Sequence, residues 1–503
     1  MRKWGPLIAV CLGAFMLLID TTVVIVALPD VADDVGSSYA DLQWVLDGYA
    51  LALAALLMGI GSLADIVGRK RVYAIGLIVF TAASLLCGLA PGTGTLVAAR
   101  VVQGVGGAAM LATSIALIGD AYEGRDRGVA FGVWGAVSGA SAALGPVLGG
   151  LLTEHVGWRS IFLVNLPVGL ATLLLATRLL RESHGDRGTR VDVPGAATFT
   201  VAAAAATYGI IRAGEHGWGD TTVRLSFVLA AVGAVAFVVV ESRRRAPMLD
   251  LRLLRNPTFT GVLVGGLLLQ FAAFSWMPQV SLWLQTQLGH GPVQAGLMLA
   301  PLAVVAFVVA GAAGRLLHGV SARWTIGPGL LLIGAGVLLL TLVGPGSDWT
   351  ALLPGLIVAG VGVGLGTPAL ASAILTTVPP RQSGMAGGAL NTFRQLGFAL
   401  GVAVAGVVFR DQAESSLHDA GVPGAHDAAA ALADGAPGVP HADAAYATGI
   451  DALAVTSGVI GLVAGVLVLV LVRGAQPNSP GPQPRPGGGP EADETAAPAH
   501  SVC

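Results

Sequence analysis

Charge is scarce in this chain. Only 11% of its 503 residues are Asp, Glu, Lys or Arg, against about 25% in a soluble globular protein. Hydrophobic residues make up 54%. A mean hydropathy of +0.77 leaves too little polar surface to coat a compact body in water, so lipid is the solvent for most of it. Cysteine is almost missing as well. Cys11 and Cys87 lie in apolar stretches and Cys503 is the last residue, which frames neither disulfides nor a metal site. Lysine is limited to Lys3 and Lys70, and neither follows a glycine. A phosphate-binding loop needs Gly-Lys-Ser/Thr, so no nucleotide is expected to drive this protein. The sequence also shows no Ser/His/Asp set, metal cluster or paired catalytic acids, and reads as a non-enzyme without cofactor. Its formal charge of -2 says little about partners, and no nucleic acid is expected. The preference for arginine over lysine and the wealth of Ala, Gly and Val fit a GC-rich bacterial genome.

What the chain has in quantity is long apolar runs. Segments of about 18 to 25 residues cross a hydrocarbon core of about 30 Å as helix. About fourteen recur, at 7-28, 44-64, 72-90, 95-118, 129-152, 161-180, 195-213, 222-241, 258-284, 294-317, 324-344, 350-373, 385-409 and 450-472. The first is too long for a signal peptide and lacks a cleavage site. Basic residues are retained on the cytoplasmic side of short loops. Arg2, Lys3, the Arg69-Lys70-Arg71 run, Arg125, Arg127, Arg315, Arg323, Arg381 and Arg473 all fall on one side if both termini are cytoplasmic.

The predicted architecture is an all-α integral membrane protein. It comprises an N-terminal six-helix half (1-180), two linker membrane helices with their loops (181-257) and a C-terminal six-helix half (258-473) with an external loop at 410-449. A Pro- and Gly-rich tail at 474-503 reads as disordered. The halves repeat one another. A shift of 256 lays Gly104-Val105-Gly106 on Gly360-Val361-Gly362, Gly128 on Gly384, Gly132 on Gly388 and Gly145 on Gly401. A shift of 253 lays Gly61 to Asp65 on Gly314 to His318. Repeated halves around a central site are a transporter plan.

Several stretches resemble the major facilitator superfamily, specifically its fourteen-helix drug:proton antiporter branch. Gly61-Ser-Leu-Ala-Asp65-Ile-Val-Gly68-Arg69-Lys70 is similar to the cytoplasmic signature between helices 2 and 3. Leu96 to Gly107, with Arg100, Gln103 and Gly104, resembles the helix 4 signature. Gly139 to Gly150, containing Gly145-Pro146 and Gly149-Gly150, resembles the helix 5 antiporter motif. Asp20 to Pro29 and Trp158-Arg159 to Pro167 resemble stretches of the drug-export branch. Ile66, Ile25 and His318 depart from residues often found at the corresponding places. The resemblance implies a multi-pass bacterial inner-membrane protein that exports a small amphipathic drug or antibiotic, cationic ones included, against protons. It implies a monomer with the proton as its only coupling ion. Self-resistance exporters of antibiotic producers, such as that for puromycin, look similar.

A carboxylate inside an apolar span costs about 2.5 to 3.5 kcal/mol on insertion scales, so it persists where it is paired, wet or useful. Asp20 stands about 12 residues, roughly 18 Å, from the cytoplasmic end of its helix. Asp47 lies near the external end of helix 2, and Arg100 about 8 Å deep in helix 4. These three are the candidates for proton or cation coupling. Asp20 serving only to pair with Arg100, and Asp47 simply facing water, remain open alternatives. For Gly61, Asp65, Gly68 and Arg69 the resemblance implies a conformational gate, with Asp65 meeting the start of a helix near Gly384, where the helix dipole favours an anion. Gly139, Gly145, Pro146, Gly149 and Gly150 offer a bend and a close packing surface. Trp134, Asn165, Gln270, Trp276, Asn391 and Arg394 are candidates for the drug cavity, since aromatic and amide groups in apolar helices suit amphipathic ligands; ordinary packing is the alternative for each. The second half shows no clear mid-span acid, which places proton handling in the first. A proton-coupled nutrient importer and a membrane sensor or channel are the competing readings.

Overall fold

The computed structural model describes residues 3–35, 39–184, 192–244, 247–316, 320–433, 435 and 438–473. The predicted tail at 474-503, His318, and the side chains of Ile25 and Pro146 lie outside the described residues. All regular structure among the described residues is helical. The helices are α1 (Gly5–Val35), α2 (Tyr39–Val67), α3 (Arg69–Gly88), α4 (Thr93–Ala121), α5 (Gly124–His155), α6 (Ser160–Leu163), α7 (Asn165–Leu179), α8 (Val193–His216), α9 (Thr221–Arg243), α10 (Pro257–Phe274), α11 (Met277–Thr286), α12 (Pro292–Leu316), α13 (Arg323–Leu338), α14 (Leu353–Thr376), α15 (Ser383–Asp419), α16 (Ala425–Ala433) and α17 (Ala442–Leu471). Helix is what lipid demands, because it satisfies every backbone N–H and C=O within its own segment.

Thirteen stretches among the described residues are long and apolar enough to span a bilayer, and the remaining expected span, 129-152, is helical within α5. Two expected spans are broken. Residues 161-180 divide into α6 and α7 around Val164, and 258-284 into α10 and α11 around Ser275 and Trp276. Prolines explain both breaks. Pro167 and Pro278 have no N–H to offer the carbonyl four residues back. The stretch 410-449, expected as a loop, is mostly helix: α15 runs on to Asp419, α16 fills part of the connection, and α17 begins at Ala442.

The two six-helix halves pack alike, down to single glycines. A Cβ on Gly104 of α4 would strike the backbone of Tyr49 in α2, and one on Gly360 of α14 the backbone of Leu302 in α12. Gly106 meets Gly76 and Phe80 of α3, while Gly362 meets Gly329 and Ile333 of α13. These partners are themselves 253 apart, so the faint sequence repeat is a repeat of backbone contacts. Such close approach suits membrane helices, whose association relies on packing because lipid supplies no hydrophobic drive. Between the halves α5 packs along α12 and α15 along α2. Of the extra pair, α8 packs against α2 and α15, and α9 packs against α8. On α9, Leu225, Val228, Leu229, Val232, Val235 and Val239 are exposed at helical spacing, an apolar stripe suited to lipid.

Candidate functional site

Asp20 lies mid-way along α1 and is fully buried, with Arg100, Gln103 and Ser84 also at 0% exposure. Arg100 Nη1 donates to Asp20 Oδ2 at 2.5 Å. The other carboxylate oxygen, Oδ1, accepts from Gln103 Nε2 at 2.9 Å and Asn165 Nδ2 at 2.8 Å. Arg100 also donates from Nη1 to Gln103 Oε1 at 2.8 Å and from Nε to the Val45 carbonyl at 3.0 Å. Its guanidinium carbon sits 4.2 Å from the centroid of the Tyr49 ring, a cation–π placement. Ser84 accepts from Asn165 Nδ2 at 3.0 Å and donates to the Phe162 carbonyl at 2.9 Å. One nitrogen, Arg100 Nη2, has no partner among the described residues.

Four helices of the first half, α1, α3, α4 and α7, supply this network, and α2 adds the Val45 carbonyl and the Tyr49 ring. Desolvating two charges is costly, and Coulomb attraction offsets it only with good geometry and filled hydrogen bonds. Here both carboxylate oxygens are hydrogen-bonded. Protonating Asp20 would remove the counter-charge of Arg100, so proton binding and the ion pair exclude one another.

Glycines of the helix 5 motif close the site from the side. Gly145 approaches Ile19 and Thr22, and Gly149 approaches Val23, so α5 covers α1 on both sides of Asp20. Gly150 faces Val293 of α12, and Gly139 has only ordinary contact with Ala303 and Ala306. The helix runs through Pro146 without interruption. At the far end of α1, Asp34 accepts from Arg159 at 2.6 Å and from Trp158 Nε1 at 3.2 Å. The Arg159 hydrogen bond, then that of Trp158, holds this exposed carboxyl below its ordinary range, which accounts for the Trp158-Arg159 pair. Asp47 is half-buried on α2, and the hydrogen bonds of Asp20 and Arg100 do not include it.

A second polar cluster sits where α2 meets α15. Asp65 Oδ1 accepts from the backbone N–H of Gly384 at 2.9 Å and Oδ2 from that of Met385 at 3.0 Å. These are unsatisfied donors at the start of α15, where an anion is favoured. Arg69 Nε donates to Asp65 at 2.9 Å, and its other nitrogens reach Asp120 and the Pro380 carbonyl. Gly61 lies against Gly384, and Gly388 against Leu57. Gly68 caps α3 at φ 120, a left-handed conformation open chiefly to glycine, and a Cβ there would strike the Glu182 carboxylate. Glu182 in turn accepts from Lys70 N at 3.0 Å. Asp120, Glu182 and Pro380 were not among the expected residues; the signal available for Asp120 was an acid ending an apolar run.

The expected cavity residues separate. Asn165 belongs to the Asp20 network. Asn391, at 2% exposure, ties α15 to α4 through the Leu111 carbonyl at 3.1 Å. Trp134 and Trp276 are each 1% exposed, and neither indole N–H has an acceptor among the described residues. The Gln270 Oε1 likewise lacks a donor. Arg394 is half-buried, its guanidinium carbon 5.9 Å from the Trp134 ring centroid. Gln103, Ser84 and Tyr49 complete the Asp20 network without having been assigned roles from sequence. Gln103 was quoted in the helix 4 signature, one turn after Arg100, but was given no role there.

The sequence profile of the Major Facilitator Superfamily matches residues 10–402. The chain belongs to that superfamily. It is 37% identical over 403 residues to the multidrug resistance protein Stp of Mycobacterium tuberculosis, covering 80% of this chain and 75% of that protein. It is 38% identical over 426 residues to the puromycin resistance protein pur8 of Streptomyces alboniger, covering 84% of each. The human organic anion transporter MFSD10 has the same fold, with a TM-score of 0.66 at 17% identity over 93% of this chain and 100% of that one. This member of the superfamily is a multi-pass protein of the bacterial inner membrane, in a family of transporters rather than enzymes.

Proposed function

We propose that the protein exports an amphipathic drug or antibiotic across the bacterial inner membrane in exchange for protons and so confers resistance. It needs no cofactor, works as a monomer, and keeps both termini in the cytoplasm, where the arginine-rich loops lie. Resistance exporters among its relatives support the cargo class. The sealed Asp20–Arg100 pair carries the coupling. An acid that is ion-paired in one conformation and wetted in another changes its proton affinity between them. One charge moved through 100 mV supplies about 2.3 kcal/mol, nearly a fifty-fold concentration ratio.

The Asp65 contact with the start of α15 supports a gate that holds the cytoplasmic side shut and parts as residues 1-180 and 258-473 rock against each other. Gly145 and Gly149 keep the α1–α5 seam too tight for water to leak a proton to Asp20. In reconstituted vesicles with an imposed pH gradient, Asp20→Asn loses gradient-driven drug movement while still inserting in the membrane. Undiminished coupled transport in that variant would remove Asp20 from the mechanism.

A further inference from the structure

One cation in the membrane interior is left over by the coupling site. Arg394 is the twelfth residue of α15, well inside the apolar span that begins at Pro380. Arg100 has the carboxylate of Asp20 as counter-charge, but no carboxylate among the described residues pairs with Arg394; its one described partner is the face of Trp134. Arg394 is also not sealed: it keeps partial exposure. Its stem passes Gly266 of α10, and its head reaches α5, so it stands on the seam between the halves. An arginine within a membrane span is expensive and marks a substrate path when it faces a cavity without a partner.

Its surroundings are unfilled in the same sense. The Trp134 indole N–H, almost wholly buried, has no acceptor among the described residues. Gln270 lies one turn beyond Gly266 on the same face of α10, and its amide oxygen has no donor. The guanidinium and the unused indole N–H, one from each half, match a carboxylate or sulfonate attached to an aromatic body, while the unfilled Gln270 oxygen suits a hydroxyl donor elsewhere on the same ligand. The fork of arginine accepts such an oxyanion in bidentate fashion, and its plane stacks on rings. An amphipathic cation would meet Arg394 with no acid facing it, because Asp20 is sealed in its own network.

We infer that this seam is a binding site for amphipathic anions, with Arg394 as counter-charge and Trp134 Nε1 as a second donor. The inference rests on the export reading and narrows its cargo. It carries an electrical consequence: anion leaving and proton entering are both favoured by an inside-negative potential, so each cycle moves two charges.

The test uses the full-length protein in lipid nanodiscs and two dyes on one xanthene scaffold, anionic fluorescein and cationic rhodamine 6G, with affinity read by fluorescence anisotropy at pH 7.5. Fluorescein binds about tenfold tighter or more. Arg394→Gln removes about tenfold of fluorescein affinity and leaves rhodamine 6G within about twofold, Arg394→Lys restores part, and Trp134→Phe costs about threefold for fluorescein alone. Fluorescein binding no tighter than rhodamine 6G, or an equal loss of both dyes in Arg394→Gln, overturns the site. In vesicles the two readings separate. Gradient-driven extrusion of rhodamine 6G without fluorescein sinks the anion site and leaves proton-driven export standing. If neither dye is extruded, export falls, and the nanodisc titration still decides the site.

Discussion

Laid on the first half with a shift of 253 to 256 residues, the second half reproduces its helix contacts and discards its chemistry. Asp20 corresponds to Ala273, Ser84 to Val337, Arg100 to Leu356 and Gln103 to Ala359, all four counterparts fully buried. The contact of Gly169 with Thr81 is mirrored by that of Gly461 with Gly334, which pairs Asn165 with Ser457. What remains polar there is a hydrogen bond of 2.9 Å between Ser275 and Ser457. The shared part is the spacing of small residues that lets helix backbones touch. The difference shows that packing does not require the ion pair: the same scaffold closes around alanine and leucine.

The strongest way to break the comparison is to copy the second half into the first. A variant carrying Asp20→Ala, Ser84→Val, Arg100→Leu, Gln103→Ala and Asn165→Ser should fold, because replacing a buried ion pair with packed apolar groups is often neutral or stabilising by about 1–4 kcal/mol. Gradient-driven export in vesicles should be abolished. If transport survives, the polar interior is not the coupling site.

Half of that exchange should be far worse than the whole. Arg100→Ala strands a buried carboxylate, and unfolding in mixed micelles should show a loss of about 3–5 kcal/mol; a neutral result would mean that the pair does not hold the first half together. The packing symmetry gives a milder test. Gly106→Val and Gly362→Val each push a side chain into a neighbouring backbone and should each cost about 1–3 kcal/mol. Markedly unequal losses would show that the two halves are not packed alike.

The smallest effect concerns α16, which has no counterpart in the first half. Glu414, accepting from His426 at 2.9 Å, raises the pKa of this exposed histidine. A raised folded value means that the contribution is complete below the unfolded pKa of about 6.5 and fades as pH climbs through the folded one. Amide hydrogen exchange in α16, corrected for intrinsic rate, should therefore be slower at pH 5.5 than at pH 8. His426→Gln should erase the difference, and an unchanged pH dependence would count against the pair.

Helix positions and the tight packing of Gly145 and Gly149 were legible in the sequence, and the family resemblance implied the meeting of Asp65 with the start of α15 near Gly384. The pairing of Asp20 with Arg100 was visible in the sequence as the alternative to a proton-coupling role for Asp20. The seat of Asn165 beside Asp20 was not legible, because it depends on how α7 is rotated against α1 and α3, and apolar spans with weak amphipathicity leave that rotation unmarked. Arg394 could be seen as a cation in a span but not as an unpaired one, since pairing depends on neighbours hundreds of residues away. For 410-449 a partly helical external loop was expected, and the extent of the helix was not legible because alanine-rich polar stretches read equally as loop or helix.

Composition alone determined that this chain lives in lipid as a bundle of membrane helices, because a hydrocarbon solvent leaves the backbone no other way to satisfy its hydrogen bonds. The glycine spacing determined that the bundle repeats. Tertiary structure alone decided which charges are buried in pairs and which stay without a counter-charge. Burial and pairing come from the rotation and depth at which helices meet, and no single helix encodes either.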